Sequence, residues 1–333
     1  MLTSWLTPLV VSALGFALSH PLAAADEWDA RVDAIMESYE TDDFIGEMSQ
    51  IAIYGLVDSE ANLIEDKYRN AVGTIQNITM EENGGHPMIF GLDSVHGTAL
   101  VSGAVKFGQE INGAASFNPD LVYEMGRITS RDTLAAGILW SFAPILDKSS
   151  NLLWARTYET FGEDPYTISV MADASVRGMQ SINGSAACLK HFIAYSDTRT
   201  GHDKQGVILT DFDLPNYFAP QFKAGFDAGA LTTIENYISV NGVPTIANTK
   251  LMTELLRTYF AFEGVSVSDY VEINQLTDFH RTARSEDEAT RKSAHRVVKL
   301  KVKVGLYDNA MPGKEYLDLV GNDDDVAAAL EIA

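Results

Sequence analysis

Asp269 closes the run Gly264-Val265-Ser266-Val267-Ser268-Asp269, a short stretch rich in β-branched residues that starts at a glycine and stops at an acid. A carboxylate held in that way can act as a nucleophile if cationic neighbours keep it ionised. Further segments end on polar groups of complementary type. Asp93 follows Gly91-Leu92, Arg156 lies in the loop from Trp154 to Pro165, Lys190 and His191 sit in Leu189-Lys190-His191-Phe192, and Tyr237 ends Glu235-Asn236-Tyr237. Carboxylates and cationic donors bind hydroxyl groups from both sides, and aromatic rings cover an apolar face, so the set suits a polyol such as a sugar. Singly, each residue has a plainer reading. Asp93 and Asp164 suit turns or caps, Arg156 a loop salt bridge, and His191 a satisfied core position. Their recurrence at the ends of successive apolar runs favours a shared site.

The elements that would carry these residues alternate in type. Apolar runs at Val72–Gln76, Met88–Leu92, Leu139–Ile145, Ala187–Phe192, Leu231–Ile234 and Val265–Ser268 read as six strands. Between them, Pro119–Ala135, Tyr166–Gln180, Leu214–Ala228 and Thr249–Phe260 read as helices. Asn118-Pro119, Asp164-Pro165 and Asp213-Leu214-Pro215 supply start signals. Strands alternating with helices predict an α/β chain with a parallel sheet, and an acid at a strand's C-terminal end is where a parallel barrel builds its site. A closed barrel needs about two strands beyond Asp269. Thr282–Asp287 is polar and Glu288–Leu306 reads as one basic amphipathic helix, so the expected fold is a TIM-type (β/α) barrel left incomplete.

Composition narrows the partners. With 333 residues, 46% hydrophobic and 21% charged, the chain has material for a sizeable core. A net charge of −22 argues against nucleic acid. Leu2–Leu22 is apolar and almost uncharged, and Ala23-Ala24-Ala25 resembles a cleavage site, so residues 1–25 read as a signal peptide and the product as secreted, with no membrane span left after processing. A lone cysteine, Cys188, cannot form an internal disulfide, and its apolar neighbours suit packing. Asn77-Ile78-Thr79 and Asn183-Gly184-Ser185 are sequons. Zinc signatures and the Walker loop do not occur, so no metal or other cofactor is expected.

On these residues the chain resembles glycoside hydrolase family 3. The shared stretches are Gly91 to Gly97, Trp154 to Pro165 with its Phe-Gly-Glu-Asp-Pro ending, Lys190-His191-Phe192, Asn241-Gly242-Val243-Pro244, Ser268-Asp269-Tyr270, and Gly305-Leu306-Tyr307-Asp308. The resemblance covers roughly residues 30 to 333. It implies a β-glucosidase-like N-terminal barrel domain over residues 26–315. Asp269 would be the nucleophile of a retaining mechanism on a β-linked glucoside or oligosaccharide. Asp93, Arg156, Lys190, His191 and Tyr237 would hold the sugar.

The chain also departs from the family. A retaining hydrolase needs a second carboxyl as acid/base, and the family's two-domain β-glucosidases take it from a downstream domain. Residues 316–333 resemble the start of a linker to such a domain, absent from this chain. The loop Ser196-Asp197-Thr198-Arg199-Thr200-Gly201-His202-Asp203 lacks the Asp-x-His order of the single-domain members, so His202 stands as the in-chain candidate acid against that pattern. Between Thr290 and Ala294 the family carries some tens of further residues. Three functions remain open at this point: a β-glucosidase-like hydrolase lacking its acid, a non-catalytic sugar-binding remnant or gene fragment, and an aldolase-like barrel using Lys190 as a Schiff base, which borohydride trapping would reveal.

Overall fold

The computed structural model describes residues 28–39, 65–269 and 296–333. The expected signal peptide, Tyr270, the polar stretch Thr282–Asp287 and the first part of the helix expected at Glu288–Leu306 lie outside these residues. Helix α1 spans Asp29–Met36, α2 Glu65–Glu82, α3 Glu110–Ala115, α4 Pro119–Ala135, α5 Pro165–Gln180 and α6 Ala219–Asp227. A π-helix runs over Lys250–Tyr259. Residues 296–303 form α7, and Asp323–Ile332 forms α8. The strands are β1 (Gly91–Leu92), β2 (Trp140–Ser141), β3 (Ala186–Phe192), β4 (Thr232–Glu235), β5 (Ser239–Val240), β6 (Val243–Pro244) and β7 (Val265–Val267).

Five strands pair in parallel in the order β1-β2-β3-β4-β7. Each new strand adds beside the last with a helical connection between, which is the winding of a (β/α) barrel. The sheet forms the curled half of such a barrel, in agreement with the incomplete barrel expected. One expected strand is corrected: Val72–Gln76 lies inside α2. Val72 and Gln76, one helical turn apart, are buried, and Gln76 bonds both the amide and carbonyl of Met88. A five-residue apolar run does not separate a strand from a buried helical turn.

Two of the three start signals cap their helices, whereas Asp213 turns back to accept from Thr210 and makes no cap. Asn118 accepts from the Asp120 amide and Asp164 from the amides of Tyr166 and Thr167, each with proline at the first helical position. Asn241 and Gly242, at φ 53° and 83°, form the turn between β5 and β6, the left-handed pair that suits a tight hairpin. Leu214–Ala228 forms in two pieces, a π-helical turn at Leu214–Phe218 followed by α6.

β3 is buried along its whole length because both faces are covered. Ala187 and Leu189 join the cluster under α5 and α6, whereas Ala186 and Cys188 pack with Trp140, Ile234, Val265 and Leu300. Helices α4 and α5 approach closely at two glycines: a Cβ on Gly178 would lie 2.1 Å from the Tyr123 carbonyl oxygen, and one on Gly126 2.7 Å from that of Ser175. At the chain's end, buried Arg131 of α4 bonds both Asp132 and Asp325 and so holds the first turn of α8.

Candidate active site

The C-terminal ends of the parallel strands carry the polar residues singled out above. Asp93 follows β1, Lys190 and His191 are among the last three residues of β3, Tyr237 lies just past β4, and Asp269 lies two residues beyond β7. Lys190 and His191 are neighbours on one strand, so a regular pleat would send them to opposite faces. The ladder departs from a regular pleat at this point. From Leu189 to Phe192 β3 takes three steps, while β4 takes two from Thr233 to Glu235. The additional residue in β3 is a bulge, which re-aims the side chains at that point. The Lys190–His191 peptide is cis.

Two clusters result. In the first, Lys190 Nζ donates to Asp93 Oδ1 at 2.6 Å; the Lys190 side chain is 4% exposed and that of Asp93 55%. In the second, the Tyr237 hydroxyl donates to Asp269 Oδ1 at 2.7 Å, and His191 Nε2 stands 3.6 Å from Asp269 Oδ2. Arg156 reaches His191 from its loop: Nη1 donates to His191 Nε2 at 3.0 Å. Its other edge makes a fork with Glu159, 3.0 Å from Nε and 2.7 Å from Nη2. The plain reading of Arg156 as a salt-bridging loop residue is therefore realised together with its contact to the site. His202 is exposed and its Nδ1 is 2.9 Å from Thr200 Oγ1, within its own loop.

Three residues of this region escaped the sequence reading. Asp147 is fully buried, and its Oδ2 accepts from both the His191 amide (3.1 Å) and His191 Nδ1 (2.7 Å). Glu110, also buried, accepts from the Ile145 amide with both oxygens, at 3.1 and 3.0 Å. Glu159 is the partner of Arg156. Asp147 had a usable signal, because the apolar run Leu139–Ile145 continues through Leu146 and stops at an acid, as the Asp269 run does. Glu110 had none: it sits at the start of a six-residue helix remote from any apolar run.

Charge is distributed unevenly. Burial, then Arg156 and Lys190, depress the His191 imidazole well below its ordinary pKa, so the ring is neutral. Arginine can only donate, so Nε2 is the acceptor and the proton sits on Nδ1, facing Asp147. Burial raises the Asp147 carboxyl to about 7 and the Glu110 carboxyl well above its usual range. Glu235, beside Asp269 at the end of β4, is pushed to about 7 for the same reason, against a 2.5 Å hydrogen bond from Ser266. Burial opposes the Arg156 charge, but Glu159 and the other anions around it raise its pKa on balance. Such an arrangement can orient hydroxyl groups through fixed donors and acceptors while presenting one carboxylate, Asp269, for chemistry.

Comparison with known proteins places these features. Residues 30–297 match the model of the glycosyl hydrolase family 3 N-terminal domain. A lysosomal beta glucosidase of Dictyostelium discoideum is 42% identical over 247 residues, 71% of this chain and 30% of the relative. A periplasmic beta-glucosidase of Salmonella typhimurium is 28% identical over 314 residues, 89% of this chain and 40% of the relative. Among solved structures, a β-glucosidase from Erythrobacter marinus superposes with a TM-score of 0.85 at 22% identity, over 92% of this chain and 49% of that one. One from Listeria innocua in complex with glucose gives 0.81 at 21%, over 91% and 51%. The chain thus spans less than half the length of these two curated relatives and about half of these solved chains. It belongs to the glycosyl hydrolase family 3 N-terminal domain family.

Proposed function

We propose that the chain is the sugar-binding, nucleophile-bearing domain of a secreted retaining β-glucosidase. The observation that carries this reading is the setting of Asp269. It lies at the C-terminal end of a parallel strand, with one oxygen bound by Tyr237 and the other facing His191. Asp269 attacks the anomeric carbon of a β-linked glucoside and the aglycone departs, leaving a glycosyl-enzyme ester that water then hydrolyses. Asp93 and Lys190 on one side, and Arg156 on the other with its guanidinium seated on His191, hold the hydroxyls of the sugar being cleaved. Contacts to those hydroxyls that tighten as the ring flattens lower the barrier. The relatives named as β-glucosidases, and the Listeria innocua neighbour holding glucose, support the substrate class.

Departure of an ordinary aglycone needs a proton donor. In this reading the acid belongs to a second domain, and residues 26–315 form the barrel domain, with 316–333 leading towards that partner. Residues 1–25 direct export. Among the described residues no helix is long and apolar enough to cross a membrane.

A 2,4-dinitrophenyl β-glucoside tests the assignment, because its leaving group barely requires protonation. The chain should release dinitrophenolate in a burst or slow turnover, and Asp269→Ala should abolish it. Absence of any release from a folded chain that still binds glucose would overturn the catalytic reading in favour of a sugar-binding remnant.

A further inference from the structure

His191 stands between two groups that ask opposite things of its Nε2. Arg156 Nη1, 3.0 Å away, needs an acceptor there; Asp269 Oδ2, 3.6 Å away, would take a donor. A neutral imidazole offers one or the other according to its tautomer. On the far side of the ring, Asp147 settles the choice. Its Oδ2 is held by the His191 backbone N–H at 3.1 Å, so an acceptor oxygen is fixed in place 2.7 Å from Nδ1. That oxygen demands the proton on Nδ1.

We propose that Asp147 is a positioning residue which locks His191 as the Nδ1–H tautomer, so that Nε2 accepts from Arg156 instead of donating to Asp269. This rests on the reading of Asp269 as nucleophile for its catalytic consequence, but not for the tautomer itself. The lock has two effects. It aligns the Arg156 guanidinium, whose opposite edge Glu159 already holds, so that the guanidinium is fixed from both sides. It also keeps an N–H of His191 from binding Asp269 Oδ2, where such a bond would blunt the lone pairs needed for attack. Tyr237 engages Oδ1, and Oδ2 is the oxygen that faces His191.

Burial is consistent with a structural duty of this kind. The Asp147 side chain is 0% exposed, and its Oδ1 has no hydrogen-bond partner among the described residues. Burial raises its carboxyl to about 7, yet Oδ2 can accept from Nδ1–H whether Oδ1 carries a proton or not. An amide should therefore substitute for the acid. In Asp147→Asn the His191 backbone N–H selects the amide oxygen for the Oδ2 position, and the lock survives. Asp147→Ala removes the acceptor and releases the ring to the Nε2–H form.

Nitrogen-15 chemical shifts of the histidine rings separate the two tautomers directly, with the His191 signals identified by their loss in His191→Gln. The full chain should show His191 as Nδ1–H, Asp147→Asn should retain it, and Asp147→Ala should convert it to Nε2–H. With the dinitrophenyl glucoside, Asp147→Ala should lower kcat on the order of ten- to a hundredfold, the worth of one hydrogen bond at a charged group, and Asp147→Asn should restore most of that loss. An Nε2–H or doubly protonated His191 in the unaltered chain overturns the proposal even if Asp147→Ala does not fold. An unchanged tautomer in a folded Asp147→Ala overturns it equally. If the unaltered chain releases no dinitrophenolate, the hydrolase reading fails, and the ring shifts still decide the role of Asp147.

Discussion

The sequence groups Tyr237 with the sugar-binding residues, but the structure puts its hydroxyl on Asp269 Oδ1 at 2.7 Å. The two placements predict different kinetics for Tyr237→Phe. The substitution removes only the hydroxyl. It keeps the ring over which Lys204 Nζ sits, 3.8 Å from the centroid, so the loop contact is preserved. Tyr237 is 7% exposed and the Asp269 side chain 17%, so little water is at hand to replace the lost donor. A hydrogen bond to a charged group in such a setting contributes about 1.5–3 kcal/mol. If that energy holds the nucleophile in its attacking orientation, the rate of the dinitrophenolate burst falls by roughly one to two orders of magnitude. KM should stay near its unaltered value, because no sugar contact has been removed. Single-turnover measurements over a range of substrate concentrations separate the two constants. A raised KM with an unchanged burst rate would refute the tethering role and return Tyr237 to the sugar-binding set.

Buried carboxyls set a further expectation for stability. Glu235 is raised from 4.5 to about 7, so its stabilising contribution is complete below its unfolded pKa and is lost as pH climbs through about 7. Thermal stability should rise from pH 7.5 to 5.5, and Glu235→Gln should flatten that rise by at most about 2 kcal/mol, read by calorimetry at both pH values. Asp325→Ala strips one carboxylate from buried Arg131 and should cost about 3 kcal/mol, the lower end for a broken buried pair because Asp132 still bonds the guanidinium. A denaturant midpoint unchanged by Asp325→Ala would show that the α4–α8 contact carries no stability. Gly178→Ala should lower stability by about 1–3 kcal/mol, since its Cβ would meet the rigid Tyr123 carbonyl oxygen at 2.1 Å and force α4 and α5 apart.

The strand ends were legible because parallel strands buried on both faces are nearly continuous apolar runs, and a polar residue that stops one stands out. That rule located Asp93, Lys190, His191 and Asp269 and, applied to Leu139–Ile145, would have located Asp147. It failed at Val72–Gln76, where a run of the same length is one turn of a longer helix that is polar at both ends. The partners were harder to read than the positions. Glu159 is three residues from Arg156 in a loop, and nothing in that spacing says that the guanidinium divides its donors between Glu159 and His191. The bulge at Lys190–His191 re-aims two neighbouring side chains, but no glycine or proline marks it in the sequence. Its cause lies in pairing with β4, a strand more than forty residues away in the chain.

The site's charge balance also bears on what it can bind. Lys190 is already paired with Asp93, and Arg156 with Glu159. His191 is neutral, and Asp147 and Glu110 lie behind these cations as additional buried carboxyls. A ligand therefore meets donors whose positive charge is already answered, around a carboxylate that must stay ionised to react. Neutral hydroxyls can exchange hydrogen bonds with such groups at little electrostatic cost. A carboxylate or phosphate on the sugar would face Asp93, Glu159 and Asp269 while Lys190 and Arg156 are, among the described residues, already paired with carboxylates, and like charges at these separations repel strongly where water is scarce. Under the proposed reading, dinitrophenyl β-glucoside should outcompete the corresponding glucuronide by a wide margin in kcat/KM. The two sugars differ only at the carbon outside the ring, so parity between them would show that the cations at the strand ends are not neutralised as their contacts indicate.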